Sequence, residues 1–119
     1  MSEIIVVAEF DYVIFGGTGD LAQRKIFPAF YQRELDGQLP SEARLIGTAR
    51  TKIEVDAFRE RVAASIEQYV GDEFIDALAL KRFLARIDYQ CVDAGTIAGY
   101  QELAERLASA PKRTRVFYL

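Results

Sequence analysis

The sequence predicts an α/β fold built on a doubly wound parallel sheet, and three observations carry that prediction. Short β-branched and aromatic runs alternate with amphipathic segments along the whole chain. The first of those runs ends in a glycine-rich turn that opens directly into a helical pattern. The 119 residues, half of them hydrophobic and 28% charged, suffice for one core of ordinary domain size, about 100–150 residues.

The elements follow in order. Phe10 to Phe15 (Phe-Asp-Tyr-Val-Ile-Phe) is a buried first strand bounded by Gly16-Gly17. From Asp20 to Leu35, apolar residues at Ile26, Phe27, Phe30, Tyr31 and Leu35 mark one helix face. Pro28 removes a backbone donor and predicts a kink near the middle, while Asp36-Gly37 and Pro40 stop the helix. Ala43 to Ala49 is a second short strand. Val55, Phe58, Val62, Ile66 and Tyr69 form the stripe of an amphipathic helix that Gly71 ends. Phe74 to Arg86 is expected as another helix, Ile87 to Val92 as a third strand, and Ile97, Tyr100, Ala104 and Leu107 as a further helix face closed by Pro111. Arg115 to Leu119 is a fourth strand. Right-handed crossovers then give the sheet order 3-2-1-4. A chain ending on that strand has one mononucleotide half complete and the other barely begun, so a Rossmann-like sheet truncated after its fourth strand is expected, within a single domain over residues 1–119 and as part of a longer protein.

Composition excludes several kinds of chemistry. There is no histidine, which removes Ser/His/Asp and Cys/His nucleophilic arrangements and any histidine general base. Cys91 is the only cysteine, so an intrachain disulfide or a cysteine cluster for zinc is ruled out, and no metal site is expected. A net charge of −3 and a pI near 5.0 give no broad basic surface for nucleic acid. No apolar run approaches the roughly 18 residues of a membrane helix, and Met1-Ser2-Glu3 lacks the basic flank of a signal peptide, so a cytoplasmic protein without membrane partners is expected.

The chemistry lies in the turn after the first strand. Gly16-Gly17-Thr18-Gly19-Asp20-Leu21-Ala22 contains Gly17-x-Gly19-x-x-Ala22, the dinucleotide pattern with alanine in third place, between strand and helix as the pattern requires. Glycines allow a tight turn and a close approach of backbone amides to a pyrophosphate, whose charge the helix N-terminus favours. Ala22 lets the helix pack closely on the sheet. Asp20 is expected to cap the helix, since a carboxylate beside a pyrophosphate would repel it. Thr18 either donates to a phosphate or satisfies the turn.

Coenzyme choice is read at the end of the second strand, where NAD binders place an acid for the ribose 2′-hydroxyl. Ala49-Arg50-Thr51-Lys52 has none and offers instead a guanidinium fork suited to a 2′-phosphate, which points to NADP. Arg24 is expected to be solvated, and the role of Lys25 stays open on spacing alone. Tyr118 and Leu119 would border the crevice where strand order reverses, or pack in the core.

Val13 to Ala29, with Gly16-Gly17-Thr18-Gly19-Asp20-Leu21-Ala22-Gln23-Arg24-Lys25 at its centre, resembles the opening motif of glucose-6-phosphate dehydrogenases. Asp36-Gly37-Gln38-Leu39-Pro40, Ile46-Gly47-Thr48-Ala49-Arg50 and Arg115-Val116-Phe117-Tyr118-Leu119 resemble the family's next landmarks in the same order. The resemblance implies that Gly16, Gly17, Thr18 and Gly19, continuing into Asp20 and Leu21, form the coenzyme loop. It implies that Arg50 holds the 2′-phosphate and that Lys25 faces glucose 6-phosphate. Family members often have alanine where Gly17 stands, a departure expected to loosen the loop. The resemblance also implies hydride transfer from C1 of glucose 6-phosphate to NADP, in the pentose phosphate pathway, with a histidine–aspartate pair as base. That histidine belongs to a second, larger domain, so this chain has no catalytic residue of its own, is expected to turn over nothing alone, and would belong to a homo-oligomeric enzyme.

Two other readings compete. A stand-alone NADP-binding regulatory or redox-sensing module would use the same loop to report coenzyme occupancy to a partner. A short-chain reductase would need a downstream Tyr-x-x-x-Lys pair, which the sequence lacks.

Overall fold

The computed structural model describes residues 10–92, 97–108 and 114–118, with side chains over 11–92 and 101–108. Four strands, β1 (Phe10–Phe15), β2 (Arg44–Ala49), β3 (Ile87–Cys91) and β4 (Thr114–Tyr118), form one sheet in the order β3-β2-β1-β4. Every pairing is parallel, with Val13 opposite Ile46 and Phe117, and Ile46 opposite Asp88. The expected order and sheet type are therefore those observed. Pro111 and Leu119 lie outside the described residues.

Both faces of the sheet are covered, as parallel strands require, because crossover helices return over them. Alternation along the strands assigns the faces. Ile14, Leu45, Ile87 and Tyr89 meet Phe27, Tyr31, Phe58, Val62, Ile66 and Phe83 from α1 (Phe27–Leu35), α2 (Val55–Tyr69) and α3 (Ala77–Ala85). On the other face Val13, Ile46 and Val92 meet Leu103 and Leu107 of α4 (Ile97–Ala108). The first face carries the larger core. Phe27 stands edge-on to Phe58 at 5.8 Å between centroids, as Tyr31 does to Phe83. Each such pair adds about 0.5–1.5 kcal/mol beyond area burial.

The first helical region departs from expectation in the position of its irregularity. Ala22–Ile26 forms a π-helical turn, in which Phe27 N–H donates to the Ala22 carbonyl, and α1 begins just before Pro28. Proline lacks the N–H that the carbonyl four residues back would accept, and its ring crowds that carbonyl. Widening the preceding turn relieves both problems, so the irregularity sits upstream of the proline. Gly37, at φ 68°, ends α1 in the left-handed conformation, where the Asp-Gly pair predicted a stop.

The expected helix from Phe74 to Arg86 is shorter. A 3-10 turn, Asp72–Phe74, precedes α3, which starts at Ala77. Asp76 is extended, and its carboxylate accepts from the Leu78 and Ala79 amides at 2.9 and 3.1 Å. The hydroxyl of buried Tyr31 donates to the Phe74 carbonyl at 3.0 Å and accepts the Asp76 N–H at 2.9 Å. Those long-range bonds satisfy backbone groups that a continuous helix would have used internally. No helix among the described residues is long and apolar enough to cross a membrane.

Candidate dinucleotide-binding site

At the carboxyl end of β1 the chain reverses through Gly16, whose φ of 72° suits glycine. Gly17 N–H donates to the Thr48 carbonyl and Gly19 N–H to the Gly16 carbonyl, both at 2.8 Å. A Cβ on Gly17 would stand 2.9 Å from the Cα of Gly47, and one on Gly47 would meet the Phe58 ring at 2.5 Å. The loop thus lies directly on β2, and β2 directly on Phe58, because two side chains are missing. Glycine at position 17 lets the loop settle against the strand, where an alanine Cβ would force the backbone to shift.

Two residues not singled out by the sequence hold this loop from below. Gln23 Nε2 donates to the Gly17 carbonyl at 2.7 Å, and Ser65 Oγ on α2 donates to Gln23 Oε1 at 2.7 Å. Both side chains are buried, where an amide left unbonded would cost about 1–3 kcal/mol. Gln23 lies four residues before buried Phe27, and that spacing was the available signal.

Ala22 is buried and lets the helix approach the sheet as expected. Asp20 does not cap. The first helical bond runs from Gln23 N–H to the Gly19 carbonyl, and the exposed Asp20 carboxylate instead faces Arg24 Nη1 at 3.4 Å. The helix therefore begins one residue earlier than a capping Asp20 would allow, and the amides of residues 20–22 precede its first bond. Leu21 and Lys25 are exposed. Arg24 is not simply solvated, because its guanidinium stacks over the Tyr69 ring at 5.5 Å.

The turn after β2 is built from β3. Val92 N–H donates to the Ala49 carbonyl at 2.9 Å, Cys91 Sγ to the Arg50 carbonyl at 3.2 Å, and the Tyr89 hydroxyl to the Thr51 carbonyl. Burial raises the Tyr89 phenol above the ordinary tyrosine range and keeps it a donor, with Cys91 adding to the rise and Arg61 opposing it. Arg50, Thr51 and Lys52 are exposed. Arg50 has no carboxylate partner among the described residues.

Loop and turn meet across a crevice of about 400 Å³ lined by Phe15, Gly16, Thr18, Thr48, Ala49, Arg50, Thr51 and Val92. It brings Gly16, Thr18 and Arg50 together, with no acidic residue in its wall, while Gly17, Gly19, Asp20, Leu21 and Lys25 are not among the lining residues. Tyr118 belongs to β4, next to β1, but its side chain and all of Leu119 fall outside what is described. The donor set fits a dinucleotide: glycine backbone at the start of a helix on one side, and an uncommitted guanidinium on the other.

Known proteins share this fold. A family model described as "Glucose-6-phosphate dehydrogenase, NAD binding domain" matches residues 13–119. The glucose-6-phosphate 1-dehydrogenase of Rhizobium meliloti is 38% identical over 118 residues, which cover 99% of this chain and 24% of the relative. That of Gluconobacter oxydans is 41% identical over 114 residues, 94% of this chain and 23% of the relative. The crystal structure of the Mycobacterium avium enzyme superposes with a TM-score of 0.83 at 29% identity, over 95% of this chain and 23% of that one. A glucose-6-phosphate dehydrogenase in complex with its substrate glucose-6-phosphate gives 0.81 at 28% identity, over 100% and 25%. The chain spans about a quarter of the length of these relatives. It belongs to the glucose-6-phosphate dehydrogenase family, of whose sequence it carries the NAD-binding domain.

Proposed function

We propose that the chain is the NADP-binding part of a longer, cytoplasmic and homo-oligomeric enzyme that oxidises glucose 6-phosphate. The observation that carries this reading is the shared crevice, where the glycine turn and Arg50 face one space without a carboxylate in its wall. The backbone of Gly16 to Leu21 receives the pyrophosphate at the helix start, with Thr18 as a hydroxyl donor, and Arg50 takes the 2′-phosphate. Tyr118 ends β4 beside β1, on the side of the crevice where the strand order reverses. NADP supplies a hydride acceptor when bound. Lys25, exposed on the first helix, helps bind glucose 6-phosphate, whose other contacts come from residues outside this chain. With no histidine in the sequence, the general base also comes from outside, so the 119 residues bind coenzyme and do not turn over.

Titration of the purified chain with NADP⁺ and NAD⁺, repeated on Arg50→Ala, tests the reading. Tighter binding of NADP⁺, with the difference lost in the variant, is the expected result. Binding of neither nucleotide by a chain that circular dichroism shows to be folded would overturn it. NADPH production from glucose 6-phosphate by the chain alone would overturn the assignment of the base to another region.

A further inference from the structure

The Arg50 turn is exposed, and exposed turns at strand ends ordinarily leave their carbonyls to water. Here three consecutive carbonyls, those of Ala49, Arg50 and Thr51, each accept from β3 or the residue that follows it: from Val92 N–H, Cys91 Sγ and the Tyr89 hydroxyl. Tyr89 is buried with its ring against Phe58, 4.8 Å between centroids, and the Ala49 carbonyl is a second, longer acceptor 3.3 Å from its hydroxyl. The Arg50 guanidinium, by contrast, has no carboxylate partner among the described residues. The backbone beneath the cation is thus fixed by two side-chain donors that are neutral, and neither competes for the charge.

We propose that Tyr89 and Cys91 are positioning residues for Arg50, fixing the backbone of the turn so that its guanidinium is already aimed at the crevice, and thereby set the preference for a 2′-phosphorylated coenzyme. The physical ground is preorganisation: a turn held before binding loses less freedom when the fork engages a dianion. Of the two, Tyr89 carries more, because a thiol is a weak donor. The proposal rests on Arg50 as the 2′-phosphate residue.

The test compares NADP⁺ and NAD⁺ titrations of the full chain with those of Arg50→Ala, Tyr89→Phe, Cys91→Ala and Cys91→Ser, each checked by thermal denaturation. Tyr89→Phe is expected to weaken NADP⁺ by about threefold to tenfold, the range of one neutral hydrogen bond, and to leave NAD⁺ unchanged. Cys91→Ala shifts the same ratio less, and Cys91→Ser, which restores a donor, returns it to the wild-type value. Equal weakening of both nucleotides by Tyr89→Phe would mark a merely structural role and overturn the proposal. So would an unchanged ratio in Tyr89→Phe when Arg50→Ala abolishes it. Should Arg50→Ala itself leave the ratio intact, the assignment of Arg50 fails and the positioning role fails with it. If Tyr89→Phe does not fold, the Cys91→Ala and Cys91→Ser pair decides by the same ratio: a shift in the first and none in the second supports the proposal, and no shift in either overturns it.

Discussion

The two ends of the parallel sheet use arginine in opposite ways. At the amino ends, Arg44 grips Asp11 through Nε and Nη2 at 2.7 and 2.8 Å, and Arg86 grips Glu34 at 3.0 and 3.2 Å while also donating to the Pro40 and Ala43 carbonyls. Asp11 and Glu34 are buried, and the Asp11 bond raises the Arg44 pKa above its already high ordinary value. At the carboxyl ends, the backbone is held by neutral donors, Gln23, Tyr89 and Cys91, and Arg50 is left exposed. One end commits its cations to the fold, and the other keeps a cation available to a ligand. The difference shows why counting arginines cannot separate structural from binding roles, whereas their partners can.

That contrast makes removal of a structural arginine the most damaging change. Arg86→Ala leaves Glu34 buried and unpaired and should cost about 3–5 kcal/mol in urea unfolding. The double change Arg86→Met with Glu34→Leu should recover most of that loss, because it removes both charges instead of one. A full-sized loss in the double variant would show that the carbonyl bonds of Arg86, not its ion pair, stabilise this end.

Arg50→Ala is the opposite case. Its unfolding free energy should stay within about 0.5 kcal/mol of wild type, while NADP⁺ binding weakens by about 1.5–3 kcal/mol, the range for hydrogen bonds to a charged group. The wild-type preference for NADP⁺ should also fall as ionic strength rises, because the exposed cation is screened. A large stability loss in Arg50→Ala would break the contrast between the two ends.

Gly47→Ala lies between them, at the strand under the loop. Its Cβ would enter the Phe58 ring, an overpacking that should cost about 1–3 kcal/mol in thermal or urea unfolding and weaken both nucleotides alike. Gly47→Ala combined with Phe58→Leu should regain part of the stability.

The smallest effect is a pH dependence. The folded pKa of Tyr89 lies above the unfolded one, so its contribution is fully present below the unfolded value of about 10 and is lost as pH rises through the higher folded value. The stability difference between wild type and Tyr89→Phe should therefore be flat to about pH 10 and shrink as pH rises from there to the higher folded value, which urea unfolding at a series of alkaline pH values would detect.

Much of the fold was legible because it is written in local periodicities. The β-branched and aromatic run from Phe10 to Phe15, the stripe from Val55 to Tyr69, and the Gly17-x-Gly19-x-x-Ala22 turn each declare an element and its neighbour. What was misread depended on distant partners. The late start of α3 follows from Tyr31 bonding the backbone at Phe74 and Asp76, 43 and 45 residues away. Asp20 failed as a cap because the helix began at the glycine before it. Gln23, four residues before Phe27, signalled its burial by spacing, but not its partner, Ser65 on α2, 42 residues away.

By itself, then, the sequence determined the sheet order, the placing of the glycine turn at the mouth of the first strand, and the presence of Arg50 rather than an acid at the end of the second. These follow from chain-local chemistry: side-chain period, glycine dihedrals, and the charge of one residue at a known strand end. Only the tertiary structure decided how the loop and turn are held, through Gly17 on Gly47 on Phe58, Gln23 to Ser65, and Tyr89 and Cys91 beneath Arg50. Those contacts join residues far apart in sequence, and a hydrogen bond or a missing Cβ acts only when folding has brought its partner within a few ångströms.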